Sequence, residues 1–288
     1  MQHGRLLRPR LSSLPLPHRK TAMSVRPLIS PLPERAELDA LAFDDAVASA
    51  RIHLAGALRL AALHELDEGI DNPFTLTLPG SEGEYLILPF GKHWSQARAS
   101  ELVVFDEEGN VSGGDPHALE LSAQCIHAPI HRITGARAVL HTHQTWAMAL
   151  NMLQDNRLLP ASQTAAFFDG QIAYDDHYTG LAASLEEGER LAALMGDKPI
   201  VFMKNHGVLV TGDSVAQAYR RLYRLERVCR NQILALSTGR PLEVLPPDIV
   251  ARVQATNPND RHSRTERERL FFDAMLAVLD RELPGYRQ

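Results

Sequence analysis

The segment Arg137-Ala-Val-Leu-His-Thr-His143 has the composition of a buried strand that ends in two histidines. Side chains at positions i and i+2 of a strand point to the same face, so the imidazoles of His141 and His143 can converge on one ion. The later segment Lys204-Asn-His-Gly-Val-Leu-Val-Thr-Gly212 supplies a third histidine, His206, in front of another apolar stretch. Three protein ligands would leave one coordination position of a catalytic metal ion open for substrate.

The motifs around these histidines carry more weight than the pair itself, because the chain has 13 histidines in 288 residues. In their order along the chain they resemble the motifs of the class II aldolase and adducin family, from about Leu41 to about Thr238. The matching segments are SELVVFDEEGNV at 100–111, IHAPIHR at 126–132, AVLHTH at 138–143, LLPASQ at 158–163, IAY at 172–174, Gly180, KNHGVLVTG at 204–212 and YRLERVCRNQ at 223–232.

The resemblance implies an α/β fold, a three-layer α/β/α sandwich with a central, largely antiparallel sheet. We expect residues 1–37 to form a disordered or extended N-terminal arm, because this part is rich in proline. Residues 38–245 would form the aldolase-like domain. Residues 246–288 would form a helical tail that packs on the domain or on a subunit interface. Family members assemble as ring-like tetramers, so the resemblance also implies a homo-oligomer.

The apolar pattern along the chain agrees with this fold. Apolar residues at helical spacing predict helices over 44–64, 119–133, 145–153, 185–195, 215–237, 247–256 and 264–283. Short apolar runs bounded by turn residues predict strands at 74–78, 85–88, 102–105, 110–112, 137–143, 200–204 and 207–211. Strands and helices mixed in this way indicate one sheet with helices on both faces.

The bulk composition disfavours several partners. A net charge of −5 provides no basic surface for nucleic acid, and no apolar run is expected to reach the roughly 20 residues of a membrane helix. Cys125 and Cys229 lie in helical apolar patterns and are expected to be unpaired, which favours a reducing, cytoplasmic location. Residues 1–22 are basic and contain no acid. We expect a disordered extension, or translation from a start upstream of Met23, rather than a targeting segment.

The resemblance assigns the three histidines a role. In the family, the residues at the positions of His141, His143 and His206 bind the catalytic ion, which implies one divalent metal ion per subunit. Imidazole ligands suit Zn, Mn, Fe or Co, and zinc is the expected ion. Such an ion takes up a carbonyl and an adjacent oxygen of the substrate and stabilises the enediolate that forms when a C–C bond breaks.

A proton carrier must act beside the ion, and here the sequence departs from the family's sugar-phosphate aldolases. Those enzymes carry a Glu shortly before the helix His, in a Ser-Ser-Glu run, whereas residues 120–127 of this chain read ELSAQCIH. Glu120 lies about one helical turn too early, and the aligned position holds Ala123 or Gln124. The candidates for the proton carrier are Glu120, His127, Tyr174 and His177.

The segments that cradle phosphate in the family's aldolases are also changed. The matching stretches here look like Asp71-Asn-Pro-Phe-Thr75 and Pro89-Phe-Gly-Lys92. Asp71 would repel a phosphate group, and Pro73 removes a backbone N–H donor, so a sugar phosphate is disfavoured. The expected substrate-binding residues are Asn72, Gly91, Lys92, Gln124 and His127.

The sequence therefore predicts a class II, divalent-metal-dependent lyase of the aldolase type. It would cleave or form a C–C bond in a small, non-phosphorylated hydroxy-carbonyl or oxo-acid substrate. The same chemistry would serve the decarboxylation of an oxo or hydroxyaryl acid, or an epimerisation. An alternative from a different class is a non-catalytic, adducin-like oligomeric binding module. The missing Glu favours this alternative, whereas the three retained histidines oppose it.

Overall fold

The computed structural model describes residues 43–112, 115–178, 180–181, 184–255 and 262–288. All of them belong to one unit, Leu41–Gln288. The predicted N-terminal arm and the basic segment within it lie outside the described residues. The domain boundary expected at residue 245 stays a prediction.

The centre of this unit is a single sheet of eight strands. The strands are β1 Phe74–Thr77, β2 Glu84–Ile87, β3 Val103–Asp106, β4 Val111–Ser112, β5 Ala138–Thr142, β6 Ile172–Asp175, β7 Ile200–Met203 and β8 Gly207–Gly212. Their order is β4-β3-β2-β1-β5-β8-β7-β6. Every neighbouring pair is antiparallel except β6 and β7, which are parallel. The largely antiparallel sheet predicted from the sequence is confirmed, while the edge strand β6 was not predicted as a strand.

Eight α-helices cover the sheet in the described part of the chain. They are α1 Phe43–Leu63, α2 Ala128–Thr134, α3 Thr145–Asn151, α4 Gln163–Ala166, α5 Leu185–Met195, α6 Val215–Leu236, α7 Pro247–Gln254 and α8 Arg264–Glu282. The continuous helix predicted over 119–133 was wrong in its first half. A π-helical turn, Ala123–His127, precedes α2, and such turns widen a helix by one residue and often occur at functional sites.

Strand residues alternate between two cores, which makes the fold a three-layer sandwich. In β5, Ala138 and Leu140 belong to the core formed with α1, α6 and α8, whereas Val139 belongs to the core formed with α2 and α5. The same alternation holds in β8, where Val208 and Leu209 lie in different cores. This pattern follows from the two-residue period of a strand. The predicted α/β/α class is therefore confirmed.

Helix α1 is more apolar than was predicted from the sequence. By length and composition, Asp45–Leu63 could cross a membrane, and half of it is buried inside the protein. Its two arginines are tied to backbone carbonyls of the fold. Arg51 donates to the Leu102 carbonyl at 2.6 Å, and Arg59 donates to the Ala97 carbonyl at 2.7 Å. These contacts are those of a core helix in the sandwich. The prediction that no apolar run approaches the length of a membrane helix was wrong.

The C-terminal part of the chain packs on the helices of one face. Helix α8 contacts both α1 and α6, and its Leu276 and Leu279 are buried in the core of that face. Gly56 of α1 permits this approach, because a Cβ at this position would meet the Leu276 side chain at 2.7 Å. The side chain of Tyr286, close to the chain end, is buried in the same core.

Candidate metal centre

The three predicted histidines come together at one end of the central strand pair. His141 lies in β5, His143 follows it directly, and His206 lies in the turn between β7 and β8. The ring centroids are 5.0 Å apart for His141–His143, 5.0 Å for His141–His206 and 5.1 Å for His143–His206. One ligand atom from each ring lies within 4.8 Å of the others. This spacing allows all three imidazoles to reach one ion.

The hydrogen bonds of two rings fix which nitrogen faces the centre. The Nδ1–H of His141 donates to the Val208 carbonyl at 3.0 Å, and the Nδ1–H of His143 donates to the carboxylate of Glu68. Neutral imidazoles in these tautomers keep an unprotonated Nε2 with a lone pair. The Nε2 atom of His143 is buried and has no partner among the described residues. Carbonyl and carboxylate partners of this kind orient histidine ligands around metal ions.

The turn that carries His206 is held in a narrow conformation. Asn205 adopts a left-handed φ of 58°, which Asn tolerates better than most residues. The His206 N–H donates to the Met203 carbonyl at 3.0 Å. From α3, the buried Asn151 amide donates to the Met203 carbonyl and, at 3.2 Å, to the Gly207 carbonyl. These bonds tie both sides of the turn to one side chain, so the position of His206 is fixed by α3 as well as by the sheet.

Gly207 is required by the close approach of the histidines. A Cβ at this position would meet the Cδ2 atom of His143 and the backbone oxygen of Thr142 at 2.7 Å, and the Cε1 atom of His141 at 2.9 Å. Contacts under 3.0 Å force the neighbouring atoms to move. The glycine after His206 therefore keeps the space in which the first two rings lie.

Burial keeps two of the three rings neutral. Burial, reinforced by the neighbouring imidazoles of His206 and His143, holds the pKa of His141 well below its ordinary value. Burial and the neighbouring His143 lower the pKa of His206 to about 4. A histidine must be neutral to bind a metal ion, so these two rings are in the binding-competent form at neutral pH.

Unpartnered polar atoms gather around the same strand end. Buried side-chain atoms without a hydrogen-bond partner are rare, and each asks for an explanation such as a missing ligand. In the described part of the chain, such atoms occur at Asn72, His127, Thr142, His143, Gln144 and, far from this site, Tyr286. Asn72 lies just before β1, whose Phe74 pairs with Leu140 of β5. Thr142, His143 and Gln144 are consecutive at the end of β5, so hydrogen-bonding capacity that the described residues leave unused is concentrated there.

A buried chain of hydrogen bonds orients His127 beside this site. The Nδ1–H of His131 donates to the Ala136 carbonyl at 2.7 Å, so the Nε2 of the neutral ring accepts from the Thr75 hydroxyl at 2.7 Å. The Thr75 oxygen then accepts from the Nδ1–H of His127 at 2.8 Å. The remaining Nε2 of His127 is a buried acceptor without a partner, and its ring centroid lies 6.4 Å from that of His141.

Three of the predicted residues share a small cleft next to this centre. Asn72, Lys92 and Glu120 line it together, and Gly91, at a φ of 90°, forms the turn before Lys92. Burial raises the pKa of the Glu120 carboxyl, which accepts a hydrogen bond from the Ser122 hydroxyl at 2.8 Å. Lys92 pairs with the carboxylate of Glu101 at 2.8 Å. Glu120 is not among the ligand atoms that converge with the histidines.

Of the remaining predicted residues, one lies beside a histidine of the centre and two contact other parts of the protein. His177 shares a second small cleft with His206 and Tyr178. The Tyr174 hydroxyl accepts the Leu158 N–H at 3.0 Å, and burial raises the pKa of Tyr174 to about 12. The Gln124 amide donates to the Glu108 carbonyl at 2.7 Å. Tyr174 and Gln124 thus make contacts with other parts of the protein.

Three residues near the histidines were missed by the sequence reading. Gln144 follows His143 directly, and both of its buried amide atoms lack partners. The ring centroid of Tyr178 lies 6.4 Å from that of His206. Glu68 contacts His143 across 75 positions of the chain. Adjacency to the motif could have indicated Gln144, whereas no pattern in the sequence connects Glu68 with His143.

The sandwich and its group of three histidines define a protein with an aldolase-type fold and a set of side chains that can bind a metal ion. The family model "Class II Aldolase and Adducin N-terminal domain" matches residues 52–233. The chain belongs to the class II aldolase and adducin family. Class II aldolases use a divalent metal ion, and the histidine group can bind one.

Individual relatives agree with this assignment. The chain is 35% identical over 238 residues to a "Putative aldolase class 2 protein" of Caulobacter vibrioides, with 82% of this chain and 91% of the relative covered. A solved aldolase II superfamily protein from Pseudomonas syringae is 33% identical with a TM-score of 0.77, covering 88% of this chain and all of that one. "Decarboxylase NovR" from Streptomyces niveus is 29% identical over 203 residues, 70% of this chain and 74% of the relative.

The buried His131 should make the folded state sensitive to acid. Burial lowers its pKa to about 4, whereas an unfolded chain has a histidine pKa of about 6.5. As the pH falls from about 6.5 to about 4, the unfolded chain binds a proton that the folded chain does not. The protein should therefore lose up to about 3 kcal/mol of stability in this window and no more below it.

Thermal unfolding between pH 7.5 and 4 in His131→Gln tests this expectation. The variant should be less stable overall, because Gln cannot maintain both hydrogen bonds, but its stability should fall less steeply with acid. The exposed His117→Gln is the matched control and should keep the wild-type slope. Equal slopes for His131→Gln and the wild type would contradict the prediction.

Proposed function

We propose that this protein is a metal-dependent lyase of the aldolase type, with zinc at the centre formed by His141, His143 and His206. The observation that carries the proposal is the convergence of three imidazoles within 4.8 Å, two of them with their Nδ1 atoms already engaged. Buried polar atoms without partners stand beside this convergence. This donor set fits a divalent ion that keeps an open position for substrate.

The proposed roles of the protein groups follow from their contacts. A bound divalent ion would polarise a substrate carbonyl and stabilise the negative charge that develops next to it. Among the chain's own residues, the unpartnered Nε2 of His127 would accept a hydrogen bond from a substrate hydroxyl, because its tautomer is fixed by Thr75 and His131. The unpartnered amide of Asn72 would donate to a carbonyl or carboxylate oxygen.

A proton carrier completes the proposed site. In a retro-aldol cleavage, a base removes the proton of the hydroxyl beside the C–C bond that breaks, and the released carbon is then protonated. We assign this transfer to His177, since it shares a cleft with His206. Glu120 shares its cleft with Asn72 instead, so it would act only on a substrate that extends there. Tyr174 is less suited, since its hydroxyl contacts the Leu158 amide.

The substrate that suits this site is small and not phosphorylated. Asp71 and Pro73 disfavour a phosphate next to Asn72, because one repels it and the other lacks an N–H donor. Lys92 is paired with Glu101 and offers only part of its charge to an anion. A hydroxy-carbonyl compound or an oxo acid with one carboxylate is the class that we propose.

Decarboxylation of an oxo or hydroxyaryl acid is a second candidate. The similarity to "Decarboxylase NovR" over 70% of this chain supports it, since loss of CO2 and retro-aldol cleavage both leave negative charge beside a carbonyl. The non-catalytic, adducin-like module is the alternative from a different class. Metal content separates the catalytic hypotheses from this module, and product analysis separates the two reactions.

Elemental analysis of the purified protein tests the metal centre. We expect about one divalent ion per chain in the wild type and none in His143→Ala, because two imidazoles hold an ion far less well than three. Glu68→Gln should weaken the affinity roughly 10- to 100-fold, as is typical when the hydrogen-bond partner of a histidine ligand is changed. The exposed His117→Ala serves as the control and should retain the ion. No bound ion, together with no stabilisation by added Zn, Mn, Fe or Co, would refute the lyase hypothesis.

Turnover of a panel of hydroxy-keto acids and oxo acids, followed by product analysis and CO2 release, tests the reaction. His177→Gln should lower kcat by about 10²-fold or more with its metal content unchanged, if it carries the proton. His127→Gln should instead raise KM for substrates that have the recognised hydroxyl. A metal-loaded protein that converts no member of the panel would favour the binding module over both lyases.

Assembly and location complete the proposal. We propose a homotetramer by resemblance to the family, and the exposed apolar side chains of Met152, Tyr178 and Leu181, the last 90% exposed, support a buried contact near His206. The unpaired, buried thiols of Cys125 and Cys229 support a reducing, cytoplasmic setting. The molar mass from light scattering checks the assembly, and a monomer at micromolar concentration would contradict it.

A further inference from the structure

Helices α6 and α8 place five arginines around one cavity of about 490 Å³. Arg220, Arg221 and Arg224 project from one side of α6, at positions i, i+1 and i+4. Arg264 and Arg267 project from the first turn of α8. Glu268 is the single carboxylate among the described residues that line the cavity. A chain with a net charge of −5 thus concentrates positive charge in one place.

The three arginines of α6 are poorly compensated by the residues that the structure describes. Glu268 is buried and lies 3.6 Å from the Nε atom of Arg264, and it also accepts from the Gln217 amide at 3.2 Å. In the described part of the chain, no carboxylate forms an ion pair with Arg220, Arg221 or Arg224. Burial lowers the pKa of all three, to about 10 for Arg221, and neighbouring arginines lower it further, whereas Glu268 partly opposes the shift at Arg220 and Arg221. Holding like charges together in a partly buried cavity is unfavourable unless an anion binds there.

Other contacts give the cavity a fixed shape. The guanidinium of Arg224 lies over the Phe167 ring, 4.9 Å from its centroid. Arg221 donates to the Thr211 carbonyl. The amides of Gln163, Gln171 and Gln254 add neutral donors and acceptors to the wall. A cavity of several hundred Å³ with a few converging polar groups is typical of a small-molecule site.

This cavity is separate from the histidine centre. Thr211, whose carbonyl contacts Arg221, lies five residues along β8 from His206, which is roughly 17 Å at about 3.4 Å per strand residue. Ile200, at the start of β7, lines the cavity, whereas Met203, at the end of the same strand, lies in the cleft with His206. The two sites therefore occupy opposite ends of the same strands.

We propose that the cavity between α6 and α8 is a second ligand site, which binds a small anion carrying two or more negative charges. The guanidinium group presents paired N–H donors that match both phosphate and carboxylate oxygens. Arg220, Arg221 and Arg224 form no ion pair in the described part of the chain, so they can bind more negative charge than Glu268 provides. A diphosphate group and a polycarboxylate share the required chemistry. The proposal is independent of the function assigned to the histidine centre.

Binding of pyrophosphate and of citrate, measured by calorimetry at constant ionic strength, tests the site and separates the two sources of charge. A hundredfold excess of the bound anion over its Kd should raise the Tm of the wild type by roughly 5 to 10 °C. KCl at the same ionic strength should give no comparable rise, because it only screens the arginines. The double variant Arg220→Gln/Arg224→Gln should weaken the Kd at least tenfold. The matched control is Arg227→Gln, exposed on another side of α6, which should keep the wild-type Kd.

Both anions chelate divalent metals, so each titration is repeated in His143→Ala. Binding that persists there and is lost in the double arginine variant would establish the second site, whatever the histidine centre does. Binding of neither anion, or equal binding by the wild type and the double variant, would overturn the proposal. It would also be overturned if the double variant changed only the molar mass in solution, because the arginines would then serve contacts between copies of the chain.

Discussion

The antiparallel pairing of β5 with β8 is the interaction on which both the fold and the candidate centre depend. Its register pairs His141 with Leu209 and Thr142 with Val208 across the middle of the sheet. The Val208 carbonyl also receives the Nδ1–H of His141, so the strand that supports the ring also selects its tautomer. Because side chains alternate along a strand, a shift of one residue would turn His141, and His143 directly after the strand, to the wrong face. One pairing thus sets the core and the chemistry together.

Gathering three imidazoles in one place lowers the stability of the folded state. Burial and hydrogen bonds around the rings limit this loss. Each ring is kept neutral by burial or receives a hydrogen-bond partner for the nitrogen that faces away from the centre. The buried Nε2 atom of His143 is left without a partner among the described residues, although a buried polar atom without a hydrogen bond costs about 1–3 kcal/mol. A fold selected for stability alone would fill these positions with apolar residues. A ligand that binds the centre would restore this energy.

The sequence predicted the parts of the protein that are encoded locally. Strand β5 with His141, strands β7 and β8 on either side of His206, the sandwich class and helix α5 follow from short apolar patterns near recognisable turns. Strand β6 was not predicted, because four residues between polar neighbours give little periodic signal. The π-helical turn at Ala123–His127 was also missed, since no composition distinguishes it from an ordinary helix. Glu68 reaches His143 through the tertiary fold, which no local pattern encodes. The roles of Glu120, Tyr174 and His177 stay predictions for the same reason.

The two ends of β7 and β8 suit ligands of opposite charge. This difference limits how a ligand at one end can affect the other end. The histidine end requires neutral rings that attract a cation, whereas the arginine end collects positive charge that attracts an anion. A rigid strand between them does not couple the two sites by itself, because coupling requires an element with two arrangements that both ligands bias.

Helix α6 is the element whose contacts extend toward both sites. Its Arg221 contacts β8 at Thr211, and its Glu226 accepts the Trp146 and Ala147 N–H groups at the start of α3. Helix α3 in turn holds the His206 turn through Asn151. An anion that shifted α6 would therefore act on His206 through these contacts, whereas one that left α6 in place would stabilise the fold without affecting the centre.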